Sequence, residues 1–265
     1  MLTSRPARVD DYPAFAMFYP ELGAPEETPT IERWRLEMVP QAIIAEVAGA
    51  AVGYAYGQTL ADIGYIRNLV TAPQSRRLGV GVHLMMAMAA RFREGGCHSW
   101  CLNVKPDNVA ALALYARFGL TPVRVQEAYV LPWQAVTALP RTSRRIEVGT
   151  VLAGDDAAVE ARFGLPGGQV TADRARGRVL LVAREGAEVL GFSSFDIRFG
   201  GSFPFRIADV AAIAPLVARC REHADHRETI RLVAEDDPAV AAALRKAGAT
   251  PGMTTLHMRG VLPRE

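Results

Sequence analysis

The sequence contains one internal repeat, with a shift of 129 residues between its two copies. The repeat pairs Gly119-Leu-Thr-Pro122 with Gly248-Ala-Thr-Pro251, Val104 with Val233, and the helical pattern from Val82 with that from Ala211. A single repeat of this length indicates duplication of a whole domain, because a solenoid needs many short repeats. We therefore predict two domains of similar fold at residues 1–135 and 146–265, joined by a linker at 136–145.

Both halves alternate segments typical of strands with segments typical of helices. The predicted strands are 41–49, 51–60, 64–72 and 99–104, with one or two closing strands at 121–131, then 177–199 as a hairpin and 228–235. The predicted helices are 10–22, 30–38, 82–93, 108–119, 211–223 and 238–248. This alternation predicts an α/β fold. Half of the residues are hydrophobic, so each half can bury a core.

Composition excludes several classes of function. The net charge is only +2 and no block of Lys and Arg occurs, so we expect no nucleic-acid partner. No uncharged apolar run has the length of a membrane span, and the N-terminal residues lack the apolar core of a secretory signal. The chain has three cysteines, Cys97, Cys101 and Cys220, which suit a reducing compartment. We expect a cytoplasmic protein without a membrane partner.

Two clusters of cysteine and histidine are weak candidates for a metal site. Cys97-His98-Ser-Trp-Cys101 lacks the spacing of a zinc pair, and no second ligand pair follows it. Cys220, His223 and His226 recur every three residues without an evident fourth ligand. We expect no metal at either cluster.

The segment Arg76-Arg-Leu-Gly79-Val-Gly81 has the composition of an anion-binding loop. It follows a predicted strand and precedes a predicted helix, whose first N–H groups lack partners within the helix. Glycines let the backbone approach an anion closely, and Arg76 and Arg77 add positive charge. The loop is neither a P-loop nor a complete dinucleotide-binding fingerprint. It predicts a site for phosphate or pyrophosphate.

A second motif follows about 30 residues later, in the segment LNVKPDNVAALALYARFGL at 102–120. Together the two motifs resemble the GNAT superfamily of N-acetyltransferases over residues 1–135. The matching elements are Thr71-Ala-Pro73 at the strand end, the Arg76–Gly81 loop, the helix from Val82, the strand SWCLNV, and Asn108 to Leu120 with Asn108, Ala111, Leu114, Tyr115 and Gly119 at the family's intervals. Leu120 stands where the family usually has Phe. The resemblance implies two tandem GNAT-like domains, each a mixed, mostly antiparallel sheet flanked by helices.

The resemblance also implies roles for individual residues, with acetyl-CoA as co-substrate and no metal. Backbone N–H groups of the loop would hold the pyrophosphate, and those residues are Arg76, Arg77, Leu78, Gly79, Val80 and Gly81. The strand edge formed by Leu69, Val70 and Thr71 would pair with the pantetheine arm, which Asn108 would also bind. The Leu69 N–H would stabilise the oxyanion. Tyr115 would contact the cofactor and protonate the departing thiolate.

The sequence departs from the family at Arg67. Many members have a glutamate there as the base that deprotonates the amine, and arginine does not act as a base near neutral pH. By strand alternation Tyr65, Arg67 and Leu69 share a face, so Arg67 is expected to look toward the acceptor. There it either binds a carboxylate or phosphate of the acceptor or pairs with a nearby acid of the chain. Glu46 and Asp62 are weak candidates for the base.

The second half lacks the corresponding residues. Under the 129 shift the loop falls on FRIADV at 205–210, and Tyr115 and Asn108 fall on Leu244 and Asp237. We expect a degenerate copy, so that the chain is a monomer resembling a dimer, or a homodimer. The acceptor is expected to be a small-molecule or peptide amine. A non-catalytic acyl-CoA sensor is the alternative.

Overall fold

The computed structural model describes residues 1–23 and 27–263, which form two compact units. The first unit comprises residues 1–123 and the residues from His257 onward, and the second comprises Arg124–Leu256. Two strands contribute to both units, β6 (Thr121–Pro132) and β12 (Thr250–Val261). No helix in the described part of the chain is long and apolar enough to cross a membrane.

The first unit is built on a mixed sheet. Its other strands are β1 (Leu2–Pro6), β2 (Ala42–Val47), β3 (Ala50–Leu60), β4 (Ile63–Thr71) and β5 (Ser99–Val104). Its helices are α1 (Tyr12–Phe18), α2 (Ile31–Arg33, continued by a π-helical turn Trp34–Met38), α3 (Val80–Glu94) and α4 (Val109–Arg117). The strand order is β1-β2-β3-β4-β5-β12. Strands β1 to β4 are antiparallel neighbours, whereas β4 and β5 are parallel.

The last strand of the chain completes this sheet beside β5. His257 Nδ1 lies 2.8 Å from Asn103 Oδ1, and the Leu262 N–H donates to the His98 carbonyl at 3.0 Å. These contacts run in opposite directions along the two strands, so β5 and this part of β12 are antiparallel.

Helices cover both faces of the first sheet. On one face, the Phe92 ring of α3 lies against Gly64, and Phe92 and Met88 lie against Gly57. On the other face, Phe15 of α1 stacks on Trp34 with ring centroids 4.4 Å apart, and both rings are fully buried. Glycines on one face of the sheet thus leave room for the Phe92 ring of α3, whereas the stacked rings of α1 and Trp34 cover the other face.

The second unit repeats this architecture. Its other strands are β7 (Glu147–Thr150), β8 (Val179–Glu185), β9 (Glu188–Asp196), β10 (Gly201–Ile207) and β11 (Thr229–Glu235). Its helices are α5 (Asp156–Phe163), α6 (Gln169–Ala175), α7 (Ile213–Arg221) and α8 (Pro238–Lys246). The strand order is β12-β6-β11-β10-β9-β8-β7, with β10 and β11 parallel. The sequence patterns did not predict α5 and α6, which precede the β8–β9 hairpin.

The compact units differ from the sequence halves because of strand pairing. Residues 126–132 of β6 belong to the first half but pair with β11 of the second unit. The end of β12 belongs to the second half but lies in the first unit. The expected linker 136–145 packs on the second unit, where Leu139 is buried in the core beside Leu131 and Ile213.

We predict that Gly64→Ala destabilises the first unit by about 1–3 kcal/mol, because the new methyl group would overlap the Phe92 ring in a filled core. Gly95→Ala is the matched control, since its nearest neighbours would lie at an ordinary 3.5 Å. Urea unfolding followed by tryptophan fluorescence measures both variants. Equal midpoints for the two would contradict the close packing of α3 on β4.

Candidate active site at the end of strand β4

A β-bulge interrupts β4 at Arg67. In the pairing with β3, Tyr56 lies opposite Asn68 but Gly57 lies opposite Ile66, so Arg67 is the extra residue. A bulge bends its strand and changes its twist locally. The bend therefore occurs where β4 leaves its other neighbour, β5.

The parallel pairing of β4 with β5 is short. It runs from Ile63 opposite Ser99 to Ile66 opposite Leu102, whereas β4 continues to Thr71 and β5 to Val104. Beyond Ile66 and Leu102 the two strands are no longer ladder partners. A gap therefore begins at the bulge, and β4 presents one edge to it.

The backbone of Leu69 and Thr71 faces this gap. The Ala72 N–H donates to the Val52 carbonyl at 2.9 Å, so Ala72 turns its backbone toward β3. Backbone groups of successive residues in a strand point to alternate sides. Leu69 and Thr71 therefore direct their N–H and C=O groups away from β3 and toward the gap.

The bulge also changes which side chains share a face. Leu69 pairs with Ala55, on the face where Gly57 meets α3, whereas Arg67 lies over the Tyr65 ring at 4.8 Å on the opposite face. The expectation that Tyr65, Arg67 and Leu69 share a face is therefore wrong for Leu69. Simple alternation fails because the extra residue at the bulge shifts it by one position.

The loop of residues 72–79 joins β4 to α3 and has an unusual backbone. Arg77 and Gly79 both have positive φ angles, +65° and +82°. A side chain at Gly79 would meet no atom within 4 Å, so this position is open to a ligand. The first intrahelical bond of α3 runs from the His83 N–H to the Gly79 carbonyl at 3.0 Å. The preceding N–H groups of this 15-residue helix have no partner within it.

The charged and small residues of this loop have distinct surroundings. Arg76 pairs with Glu21, with Nη2 and Oε2 2.5 Å apart, whereas Arg77 and Leu78 are exposed. A Cβ at Gly81 would lie 3.1 Å from the Leu114 side chain of α4, so Gly81 permits close packing of the two helices. Gly79 thus has open space around it that a ligand could occupy. Gly81 has the separate role of letting α4 pack closely against the start of α3.

Asn108 and Tyr115 both lie on α4 or at its start. The Asn108 side chain caps the helix by accepting a hydrogen bond from the Ala111 N–H at 3.1 Å, which leaves its amide N–H groups for another partner. Tyr115 is 7% exposed, and no other described residue forms a hydrogen bond with its hydroxyl. Burial raises the pKa of Tyr115 to about 12. The hydroxyl is therefore protonated at neutral pH and can donate a proton.

Neither expected base lies beside the gap. Glu46 accepts a hydrogen bond from the Arg5 guanidinium at 2.9 Å. Asp62 lies in the β3–β4 turn, before the paired stretch of β4 and so at the end away from the gap.

In the described ranges 1–23 and 27–263, no group of three or more His, Cys, Asp or Glu side chains is arranged to hold a metal ion.

The second unit keeps the bulged strand but not the loop. The parallel pairing of β10 with β11 covers only Gly201–Arg231 and Ser202–Leu232, and a register irregularity follows. Only two residues, Ala208 and Asp209, separate β10 from the turn that begins α7. Phe205, which the 129 shift places on Arg76, therefore lies inside β10. The shift fails here because this loop is shorter than residues 72–79.

The second unit also fills the corresponding helix start with its own carboxylate. The Asp209 side chain accepts a hydrogen bond from the Ala211 N–H at 2.9 Å and forms an ion pair with Arg144. The Ala211 N–H and the Arg144 guanidinium together lower the pKa of Asp209. Leu244, at the position of Tyr115, is fully buried. An anion would meet a negative charge here instead of free N–H groups.

The whole chain has the fold of tandem GNAT-like proteins, a mixed α/β architecture with mostly antiparallel strands flanked by helices. It is similar to a GCN5-related N-acetyltransferase from Sphaerobacter thermophilus, with 17% identity, a TM-score of 0.68, and coverage of 99% of this chain and 96% of that one. It is also similar to a tandem GNAT protein from the clavulanic acid biosynthesis pathway, with 13% identity, a TM-score of 0.64, and full coverage of both chains.

Residues 10–120 match the model of the Acetyltransferase (GNAT) family, and this segment is a GNAT acetyltransferase domain. It contains the bulge, the gap, the open loop and Tyr115. The comparison with curated proteins gave no match. The predicted fold class is confirmed for the chain, and the predicted family is confirmed for residues 10–120.

We predict that Tyr115 titrates well above the usual tyrosine pKa of about 10, because burial raises its pKa to about 12. Its tyrosine Cζ resonance, assigned by its loss in Tyr115→Phe, is expected to keep the phenol shift at about pH 11, where an exposed tyrosine is mostly ionised. Free N-acetyltyrosinamide, titrated under the same conditions, is the reference for an exposed tyrosine. A midpoint near pH 10 for Tyr115 would contradict its burial.

Proposed function

We propose that the first unit is an acetyl-CoA-dependent N-acetyltransferase, which transfers an acetyl group by direct attack to a primary amine of a small molecule or peptide. The observation that carries this proposal is the open edge of β4 after the bulge. It presents backbone groups of Leu69 and Thr71 immediately before the open loop of α3. One ligand with an amide-containing arm and a pyrophosphate would use both features.

The loop and the strand edge suit two parts of acetyl-CoA. The free N–H groups at the start of α3 and the positive φ angles of Arg77 and Gly79 form a cradle for the pyrophosphate, supported by the loop residues Arg76 to Gly81. Arg77 is exposed and adds a positive charge. The edge at Leu69, Val70 and Thr71 would pair with the amides of the pantetheine arm in the manner of an added strand.

Two groups of the chain act on the thioester. The Leu69 N–H donates to the carbonyl oxygen and stabilises the negative charge that develops as the amine nitrogen bonds to the carbonyl carbon. When the carbon–sulfur bond breaks, Tyr115 gives its proton to the thiolate, which suits a hydroxyl with a pKa of about 12. The Asn108 amide N–H groups would bind the arm beside them.

The amine must lose a proton for this reaction, and the base stays unassigned. Glu46 is held by Arg5, and Asp62 lies away from the gap. Water or an acid of the acceptor can take this proton, whereas Arg67 cannot. Arginine at position 67, where many members of the resembling family have glutamate, favours one alternative, a non-catalytic acyl-CoA-binding sensor. Binding and turnover measurements separate the two proposals.

We predict that Gly79→Asp weakens acetyl-CoA binding by about 100-fold, because a carboxylate at the open loop position repels the pyrophosphate. Asp tolerates a positive φ better than most residues, so the fold is expected to persist. Gly154→Asp is the matched control, because Gly154 also has open space around it but lies in the second unit. Calorimetry measures the Kd. Unchanged binding in Gly79→Asp would remove the loop from the acetyl-CoA site.

We predict that Tyr115→Phe lowers kcat by about 100-fold or more while the Kd of acetyl-CoA stays nearly constant, because only the proton donor is lost. CoA release is measured across a panel of primary amines. Tyr129→Phe removes a hydroxyl from a buried tyrosine of the second unit and is the control. Binding without turnover for any amine would favour the sensor. Turnover unaffected by Tyr115→Phe would assign the proton to another donor.

A further inference from the structure

Two arginines lie near the gap on the sheet face opposite α3. Arg67 belongs to β4, and Arg259 belongs to the end of β12 that completes the first unit. Between them lie Tyr65, Asn103 and His257. We refer to these five residues as the Arg67–Arg259 cluster. The sequence motifs did not identify four of its members as parts of an acceptor site.

Strand pairing places the cluster on one face. Gly64 faces the Phe92 ring of α3, so Tyr65, the next residue, faces the other side. Arg67 lies over the Tyr65 ring, and His257 contacts Asn103. Arg259 is two residues beyond His257 and therefore shares its face.

A hydrogen-bond chain holds the polar centre of the cluster. The Asn103 amide donates to the Tyr65 hydroxyl at 2.9 Å, and the Asn103 carbonyl oxygen accepts from His257 Nδ1 at 2.8 Å. An amide oxygen cannot donate, so Nδ1 carries the hydrogen. The Tyr65 hydroxyl already accepts a bond from Asn103, which leaves its own hydrogen to donate. Burial raises the Tyr65 pKa, with a partial offset from Arg67, so this hydrogen is present at neutral pH.

The two guanidinium groups have no carboxylate partner. Both side chains are exposed, and neither forms an ion pair with any residue in 1–23 or 27–263. Both positive charges act on the buried Cys101 thiol, where they offset part of the rise in pKa that burial causes. Because Cys101 pairs with Tyr65 across β4 and β5, both charges belong to the same neighbourhood of the gap.

The direction from which an acceptor amine approaches the thioester indicates the role of this cluster, and this step rests on the proposed function. The loop, α3 and α4 lie on one face of the sheet, where Trp100 of β5 meets Phe118 at the end of α4. Acetyl-CoA would occupy that side and the open edge of β4. An amine that attacks the thioester carbon must then approach from the opposite face. Arg67 and Asn103 are the first residues past the last β4–β5 pair and flank that approach.

We propose that the Arg67–Arg259 cluster binds the carboxylate of the acceptor, so that the acceptor is a small amino acid-like amine. Arg67 and the Tyr65 hydroxyl donate to the carboxylate, and Arg259 adds positive charge from the C-terminal strand. Arg67 and Leu69 are two residues apart, about 6–7 Å along the strand. This spacing, with the reach of the Arg67 side chain, suits an amine and a carboxylate a few bonds apart in one molecule.

The test compares each proteinogenic amino acid with its α-amide, and aspartate and glutamate also with their side-chain amides. Arg67→Gln is expected to lower kcat/KM for the carboxylate acceptor by about 10- to 100-fold, mainly through KM, and to lower it much less for the matching amide acceptor. Arg259→Gln is expected to have a smaller effect in the same direction. Arg67→Lys is expected to restore part of the loss. Arg117→Gln, an exposed arginine at the end of α4, is the control.

The outcomes separate this inference from the proposed function. Turnover that prefers amides or neutral amines and ignores Arg67→Gln would overturn the carboxylate site and leave the transferase standing. If no amine is acetylated, the transferase proposal fails, and calorimetry of the same amino acids with the acetyl-CoA-loaded protein decides the inference. Binding that Arg67→Gln and Arg259→Gln weaken would support the carboxylate site. No binding to the wild type would overturn it.

Discussion

The β-bulge at Arg67 is the constraint on which the rest of the candidate site depends. It follows four ladder pairs between β4 and β5, and past it the open edge of β4 carries the backbone groups of Leu69 and Thr71. The same extra residue shifts the alternation of side chains, so that Leu69 and Arg67 point to opposite faces. One irregularity of the backbone thus separates a face for the loop, α3 and α4 from a face with unpaired positive charge. In a regular strand, Arg67 and Leu69 would share one face.

The second unit shows that fold and site depend on different parts of the chain. Its core, with Ile213, Leu216 and Leu244 fully buried, needs apolar side chains at helical and strand spacing, and many sequences satisfy that requirement. The anion site of the first unit instead needs a loop long enough to turn through two positive φ angles. Shortening this loop to Ala208 and Asp209 removes the site at little cost to packing. Asp209 and Arg144 then satisfy the helix start without a ligand.

Local patterns in the sequence predicted much of this structure. The strand at Ser99–Val104, the helices that begin near Val80 and Val109, and the turn at Ala48 and Gly49 follow from apolar periodicity and turn residues. The bulge was beyond prediction because it depends on which residues of β3 lie opposite β4. The pairing of β6 with β11, and of the end of β12 with β5, joins segments more than 90 residues apart in the sequence. Arg259 and His257 were missed for this reason, although their alternation in a strand would have placed them together.

The positive charges of Arg67 and Arg259 offer an explanation of how the amine could lose its proton without a carboxylate base. A cation beside an ammonium group lowers the pKa of that group, because the two charges repel each other. Arg67 and Arg259 would therefore favour the neutral, nucleophilic form of an amine bound between them and the thioester, and a bound carboxylate would offset part of that effect. A glutamate at position 67, which the family resemblance leads one to expect, would instead stabilise the ammonium form and then accept its proton. In the proposed acceptor complex the arginine would lower the proton affinity of the amine itself, and water at this face would then take the proton.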